Sequence, residues 1–194
     1  MNKIKLEHKG DIVLGTEVMV SDPCYKIGTW CQGVIENVVP GTYHCNIEYY
    51  DDHYWGTRVS AIEVINESYN CNEIDYLEVK FEVGVDSGQA GIFDYAYYEE
   101  HHKRTNNGDN LDDKWYCVVC GLTYVNNKLT GNTIDGLGFV SSSGYGDGSY
   151  YCYVAYDIDD NVIAIRIEFI DEDEDADDYE YEEDYDDEDE CYDD

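Results

Sequence analysis

Between Thr42 and Tyr49, apolar Tyr43, Cys45 and Ile47 alternate with polar His44, Asn46 and Glu48. That period of two marks a half-buried strand. Asp51-Asp52-His53 supplies a hairpin turn, and residues 58–66 return with Val59, Ala61, Glu63 and Ile65 on one face and Ile62 and Val64 on the other. Leu77 to Val83 alternates as cleanly, and further strands are predicted over 149–156 and 162–170. Near the start, Asp11–Leu14 and Glu17–Val20 flank a Gly15 turn, and Pro23 ends the ladder because proline donates no backbone hydrogen bond. Tyr25 to Cys31 reads as a short helical turn. Strands at this spacing, punctuated by glycine and proline, predict a mostly β domain, sandwich or barrel-like, with short helices.

The strand pattern occurs twice. Gly41-Thr42-Tyr43-His44-Cys45 followed by Val59–Glu67 recurs as Gly148-Ser149-Tyr150-Tyr151-Cys152 followed by Val162–Glu172, and Val18–Tyr25 parallels Ala90–Tyr97. A duplication of this kind predicts two similar units packed with pseudo-two-fold symmetry. The units span about residues 10–67 and 82–170, the second carrying an insertion over about 98–136. Residues 10–67 and 82–172 are expected to superpose apart from that insertion.

Charge changes the picture next. The chain carries a formal net charge of −34. Of its 45 acidic residues 18 lie in Asp171–Asp194, which leaves 27 against 11 basic residues, about −16 for the remainder. Phosphate backbones and anionic lipid surfaces repel such a chain, so the expected partner is a basic protein surface rather than nucleic acid or membrane. The acidic tail, residues 171–194, is too polar to offset its ordering entropy and is predicted to be disordered. Tyr179, Tyr181, Tyr185 and Tyr192 are interleaved in it and add contact area. The N-terminus shows no apolar signal segment and no stretch is long enough to span a bilayer. A cytoplasmic setting follows, with the 8 cysteines as reduced thiols.

Three segments carry a family likeness: Val85-Asp86-Ser87-Gly88-Gln89-Ala90-Gly91-Ile92-Phe93-Asp94, the Ser143-Gly144-Tyr145-Gly146-Asp147-Gly148-Ser149-Tyr150 loop, and Tyr153–Asp157 through Ile167–Phe169. Together they resemble the bacterial and phage "domain of unknown function 4241" proteins, with their Val-Asp-[Ala/Ser]-Gly segment and late Ser-Gly-x-Gly-Asp-Gly-x-Tyr loop. Asp22-Pro23-Cys24-Tyr25 looks like a motif that related phage proteins place directly after Val-Asp-Ser-Gly; here it lies in the other half. The resemblance covers most of residues 10–170. It implies a prokaryotic or viral style of domain and carries no activity.

Candidate chemistry is sparse. Asp22, Asp86, Asp94 and Asp147 all sit beside turns, with Ser87 next to Asp86. Two readings stand: side chains capping turns by accepting backbone N–H bonds, or a carboxylate cluster for Ca²⁺ or Mg²⁺, extending to a metal-assisted hydrolase. The glycine-rich 143–150 loop is an anion nest or a tight loop needing positive φ; it lacks a P-loop lysine. Cys117 and Cys120 have zinc-knuckle spacing but need a second pair, from Cys24 with Cys31 or His101 with His102. Val118-Val119 between them also suits a strand. Cys45 and Cys152 occupy matching apolar positions and read as buried thiols. The histidines fall in no recognised catalytic spacing. The chain therefore reads as a non-enzymatic cytosolic binding or regulatory protein, bacterial or phage-encoded, that engages a basic partner without a resident cofactor. The alternative is a metal-dependent hydrolase or divalent-cation-binding domain using the loop aspartates.

Overall fold

The computed structural model describes residues 5–69, 74–103 and 113–171. Its first half runs β1 (Lys5–Leu14), β2 (Glu17–Ser21), β3 (Gly33–Glu36), β4 (Gly41–Asp52) and β5 (Gly56–Asn66). The second runs β6 (Leu77–Val85), β7 (Gln89–Asp94), α1 (Tyr95–Lys103), α2 (Asp113–Thr123) and a small hairpin of β8 (Tyr124–Val125) and β9 (Lys128–Leu129). It ends with β10 (Gly131–Ile134), β11 (Gly138–Ser142), β12 (Gly148–Tyr156) and β13 (Val162–Glu168). Residues 172–194, where the disordered tail is expected, lie outside the described residues.

Two antiparallel sheets form. The larger has the order β1-β4-β5-β13-β12-β6 and the smaller β10-β11-β7-β2-β3. They face each other across one core, to which Ile12, Cys45, Ile62, Cys152 and Ile165 come from the larger sheet and Val20, Ile92 and Phe139 from the smaller. The fold is a sandwich. β1 and β6 remain outer strands of the larger sheet, so no barrel closes. Period-two alternation explains β4, where Tyr43, Cys45 and Ile47 are buried and His44 is exposed.

The strand order of the larger sheet is mirrored about its centre, and that of the smaller about the β7–β2 seam, with β10 an unmatched edge strand. In the larger sheet β1-β4-β5 meets β13-β12-β6; in the smaller β3-β2 meets β7-β11. At the seams Ile62 stands opposite Ile167 and Glu63 opposite Arg166, while Val20 stands opposite Ile92. β5 is buried on both faces because Val39, Tyr69, Ile74 and Tyr76 cover Ile65, Ala155, Ile163 and Ala164 on the outer side. That double burial accounts for its nearly continuous apolar run.

The outer face of the smaller sheet is covered by α1 and α2. Met19, Phe93 and Val140 pack there against Tyr97, Tyr98, Trp115 and Val119. Three aromatic tips inside this layer find partners: Trp115 Nε1 donates to the Tyr97 hydroxyl at 2.7 Å, which donates to Asp135 at 2.8 Å, and Tyr98 donates to the Tyr25 carbonyl at 2.6 Å. Two local expectations are corrected. Tyr25–Cys31 is a run of turns around Gly28, whose φ is +94°, instead of a helical turn. Val118-Val119 is helical, because Trp115 and Val119, four residues apart on α2, share the face turned to Phe93 and Tyr98.

At one edge the sheets close on glycine. Gly84 N donates to the Cys31 carbonyl at 3.1 Å. A Cβ on Gly33 of β3 would lie 1.9 Å from the Phe81 ring of β6. Among the described residues no helix is long and apolar enough to cross a membrane.

Candidate functional site

Asp22 follows β2 and is fully buried. Its Oδ2 accepts the backbone N–H groups of Asp86 at 2.9 Å and Ser87 at 2.8 Å, at the turn between β6 and β7. Its Oδ1 accepts the Ser87 hydroxyl at 2.7 Å and Cys24 N–H at 2.8 Å. The carboxylate is thus held by four donors, two to each oxygen, which is how a charge is kept inside a protein. The negative charge is felt around it: burial first, then Asp22, pushes the Cys24 thiol up well above the ordinary cysteine range.

Asp94 performs the matching task from the neighbouring strand. Its Oδ2 accepts Gly15 N–H at 2.9 Å, at the turn between β1 and β2, and its Oδ1 accepts Tyr97 N–H at 3.0 Å as the cap of α1. Each aspartate therefore follows or ends an inner strand of the smaller sheet and fastens the turn by which the other half crosses from the larger sheet to the smaller. Asp22, Asp86 and Ser87 come together; Asp94 faces a different turn, and Asp147 is exposed in the loop before β12. The 143–148 loop turns through Gly144 and Gly146, with φ of +45° and +118°, and the Ser143 hydroxyl donates to the Gly146 carbonyl at 2.8 Å.

Cys117 and Cys120 sit one turn apart on α2, Cys117 exposed and Cys120 half-buried. His101 is buried and stacks on Trp115, with ring centroids 4.7 Å apart, while His102 Nδ1 accepts Ile27 N–H at 3.2 Å. Cys45 and Cys152 are buried in the sandwich core, and burial pushes the Cys152 thiol up to about 12.

A feature with no sequence signal forms at the tip of the β4–β5 hairpin. Asp52 Oδ1 accepts the N–H groups of Tyr54 and Trp55, each at 2.7 Å, and its Oδ2 accepts the Tyr145 hydroxyl at 2.7 Å. Burial alone would raise the Asp52 pKa. The Tyr145 hydroxyl, the Trp55 and Tyr54 amides and nearby Arg58 outweigh it and hold the carboxyl below the ordinary range. One carboxylate thereby fixes two turns 93 residues apart in sequence and presents their aromatic rings outward: Tyr54 is 73%, Trp55 61% and Tyr145 44% exposed. Asp51, at the end of β4, and Asp147, in the loop before β12, are exposed beside these rings. Beside the hairpin, Lys5, Lys9, Arg58 and Lys128 line a cleft, where Lys9 is engaged by Glu7 at 2.8 Å and Thr130 at 3.2 Å.

The sequence also gave no hint that His8, Asp11 and His44 meet on the outer face of β1 and β4. Among the described residues, they are a group whose ligating atoms converge as a metal would require, and neither the loop aspartates nor Cys117 and Cys120 belong to such a group.

Comparison with curated proteins and with solved structures finds no match. The profile of one family does match, over residues 13–167, which takes in β2 to β12, the last two residues of β1 and all but the last residue of β13. On that match, the chain belongs to the family described as protein of unknown function (DUF4241).

Proposed function

We propose that this is a non-enzymatic cytosolic binding protein that engages a basic protein surface, with the Tyr54–Trp55–Tyr145 tip at the centre of the contact. The supporting observation is the Asp52 clamp, which holds the backbone of the Tyr54–Trp55 turn and the Tyr145 side chain in place ahead of binding. Tryptophan and tyrosine supply much of the energy of protein interfaces, and their faces attract lysine and arginine. Fixing them beforehand lowers the entropy cost of docking. Asp51 and Asp147 beside the rings, and the charge of the chain as a whole, steer a cationic partner toward them.

The test uses the full-length chain and an oligoarginine peptide, followed by calorimetry at low and high salt. Trp55→Ala is expected to weaken binding about tenfold, a typical loss for an interface aromatic, and raised salt to weaken it further. Equal binding by wild type and Trp55→Ala would remove the tip from the contact. Binding of heparin in place of the peptide would overturn the reading and favour the cleft of Lys5, Lys9, Arg58 and Lys128.

A further inference from the structure

His8 and Asp11 lie three positions apart on β1, so in a regular strand their side chains would point to opposite faces. The ladder with β4 is broken between them. His8 stands opposite Asn46, Gly10 opposite Cys45 and Asp11 opposite His44, so Lys9 is an extra residue on β1. This is a bulge, and Gly10 within it holds φ +115°, a conformation glycine adopts without strain. The bulge turns Asp11 onto the face of His8. Asn46 and His44, two apart on β4, already share that face. All four side chains are thereby gathered in one exposed patch.

The distances within it are short. Asp11 Oδ1 lies 2.7 Å from His44 Nδ1 and 3.5 Å from His8 Nε2. The two imidazole rings meet edge to face, with centroids 5.7 Å apart. Behind His8, Asn46 Nδ2 donates to Glu63 Oε1 at 3.0 Å, which turns the amide oxygen toward His8 Nδ1, 3.4 Å away. In that arrangement Nδ1–H donates to Asn46 and the lone pair of Nε2 points at Asp11. An outer partner that sets the tautomer of a ligating histidine is the usual companion of a metal site.

We propose that His8 Nε2, His44 Nδ1 and the Asp11 carboxylate form a binding site for a transition-metal dication of the Zn²⁺ class, with Asn46 as its positioning residue. Ligand bonds of about 2.0–2.2 Å around a tetrahedral ion separate the donor atoms by about 3.3 Å. The His8–Asp11 spacing fits as it stands, and the His44–Asp11 pair must open by about half an ångström when metal replaces the shared proton. Two imidazoles with one carboxylate select Zn²⁺ and its neighbours over Ca²⁺ and Mg²⁺, which prefer oxygen ligands throughout. Three protein ligands leave a fourth position for solvent or an exogenous group. The patch is half exposed, so an ion reaches it without rearrangement of the fold.

The test is a calorimetric titration of chelator-stripped full-length protein with Zn²⁺ in excess Mg²⁺, which occupies the acidic tail, paired with the absorption spectrum of the Co²⁺ form. One equivalent is expected to bind, with cobalt d–d bands and no thiolate charge-transfer band. His8→Ala and His44→Ala each abolish this event, Asn46→Ala weakens it about 10–100-fold, and Cys117→Ser with Cys120→Ser leaves it intact. Circular dichroism establishes that each variant is folded, and Asp11→Asn serves as an independent third removal of a ligand. The absence of a one-equivalent event in excess Mg²⁺, its survival in both histidine variants, or a thiolate band in the cobalt spectrum would overturn the proposal.

Discussion

Glu63 and Arg166 stand directly opposite each other where β5 meets β13, their side chains 3.8 Å apart. They also fill matching places in the two sequence motifs, Ala61-Ile62-Glu63 and Ala164-Ile165-Arg166. The larger sheet is therefore joined at its centre by one position bearing opposite charges in its two occurrences. Arg166 also makes a two-pronged pair with Glu48, at 2.9 and 2.8 Å, and reaches Glu168 at 3.2 Å. Burial works against its charge, but Glu48 first, then Glu168 and Glu63, more than offset this and raise its pKa.

Replacing Arg166 by Met would leave three partly buried carboxylates facing one another without a counter-ion. A loss of about 3 kcal/mol is expected from such a broken network, read as a lower midpoint in urea unfolding. Adding Glu48→Gln and Glu63→Gln to Arg166→Met should recover part of that loss. If Arg166→Met alone were as stable as wild type, the arginine would contribute nothing to the seam.

Asp22→Asn tests the buried fastening of the β6–β7 turn. The amide keeps the shape but substitutes an NH₂ for one of the two oxygens, leaving two donors without an acceptor. About 3 kcal/mol of stability should be lost, against about 1 kcal/mol for Ser87→Ala, which removes a single donor. Thermal melts with excess Ca²⁺ and with chelator address the competing role of a cation ligand. Because donors already hold both oxygens, Ca²⁺ should shift wild type and Asp22→Asn equally; a shift seen only in wild type would assign Asp22 to a cation.

The Asp52 clamp should release in acid. Its carboxyl has a folded pKa below the unfolded value of about 3.9. The contribution is therefore fully present above that unfolded value and is lost as pH falls through the folded one. The Trp55 indole resonance in NMR should hold steady from neutral pH to about pH 4 and move below it. In Tyr145→Phe, which removes one stabilising hydrogen bond, the movement should begin at higher pH. An unchanged titration in Tyr145→Phe would mean that the hydroxyl does not hold the carboxylate.

The strands of the larger sheet were legible in the sequence because each turns one face to the core, so Tyr43, Cys45 and Ile47 are buried while His44 is exposed. α2 was not legible. Val118 and Val119 have strand propensity, and helix is favoured only once Trp115 and Val119 find Phe93 across the smaller sheet. Asp22, Asp86 and Ser87 stood out as turn residues, yet their meeting depends on the seam between β2 and β7, which pairs positions about seventy apart. The histidine patch was hidden for a different reason. Reading faces by counting in twos fails at a bulge, and the trace of it in the sequence is a single glycine, Gly10. The Asp52–Tyr145 contact joins two turns that no local pattern links.

The mirrored strand order also bears on how such a molecule assembles. A chain cut in the connector between β5 and β6 would retain β1-β4-β5 and β3-β2 but would lose β13 and β7, the strands against which β5 and β2 close. Both orphaned ladders would then be open edges of the kind that pair with another chain. Because each seam joins matching positions in antiparallel register, the surface such a fragment lacks is closely imitated by a second copy of itself. Pairing of such fragments with one another, as in domain swapping, is thus the hazard of cutting the chain there.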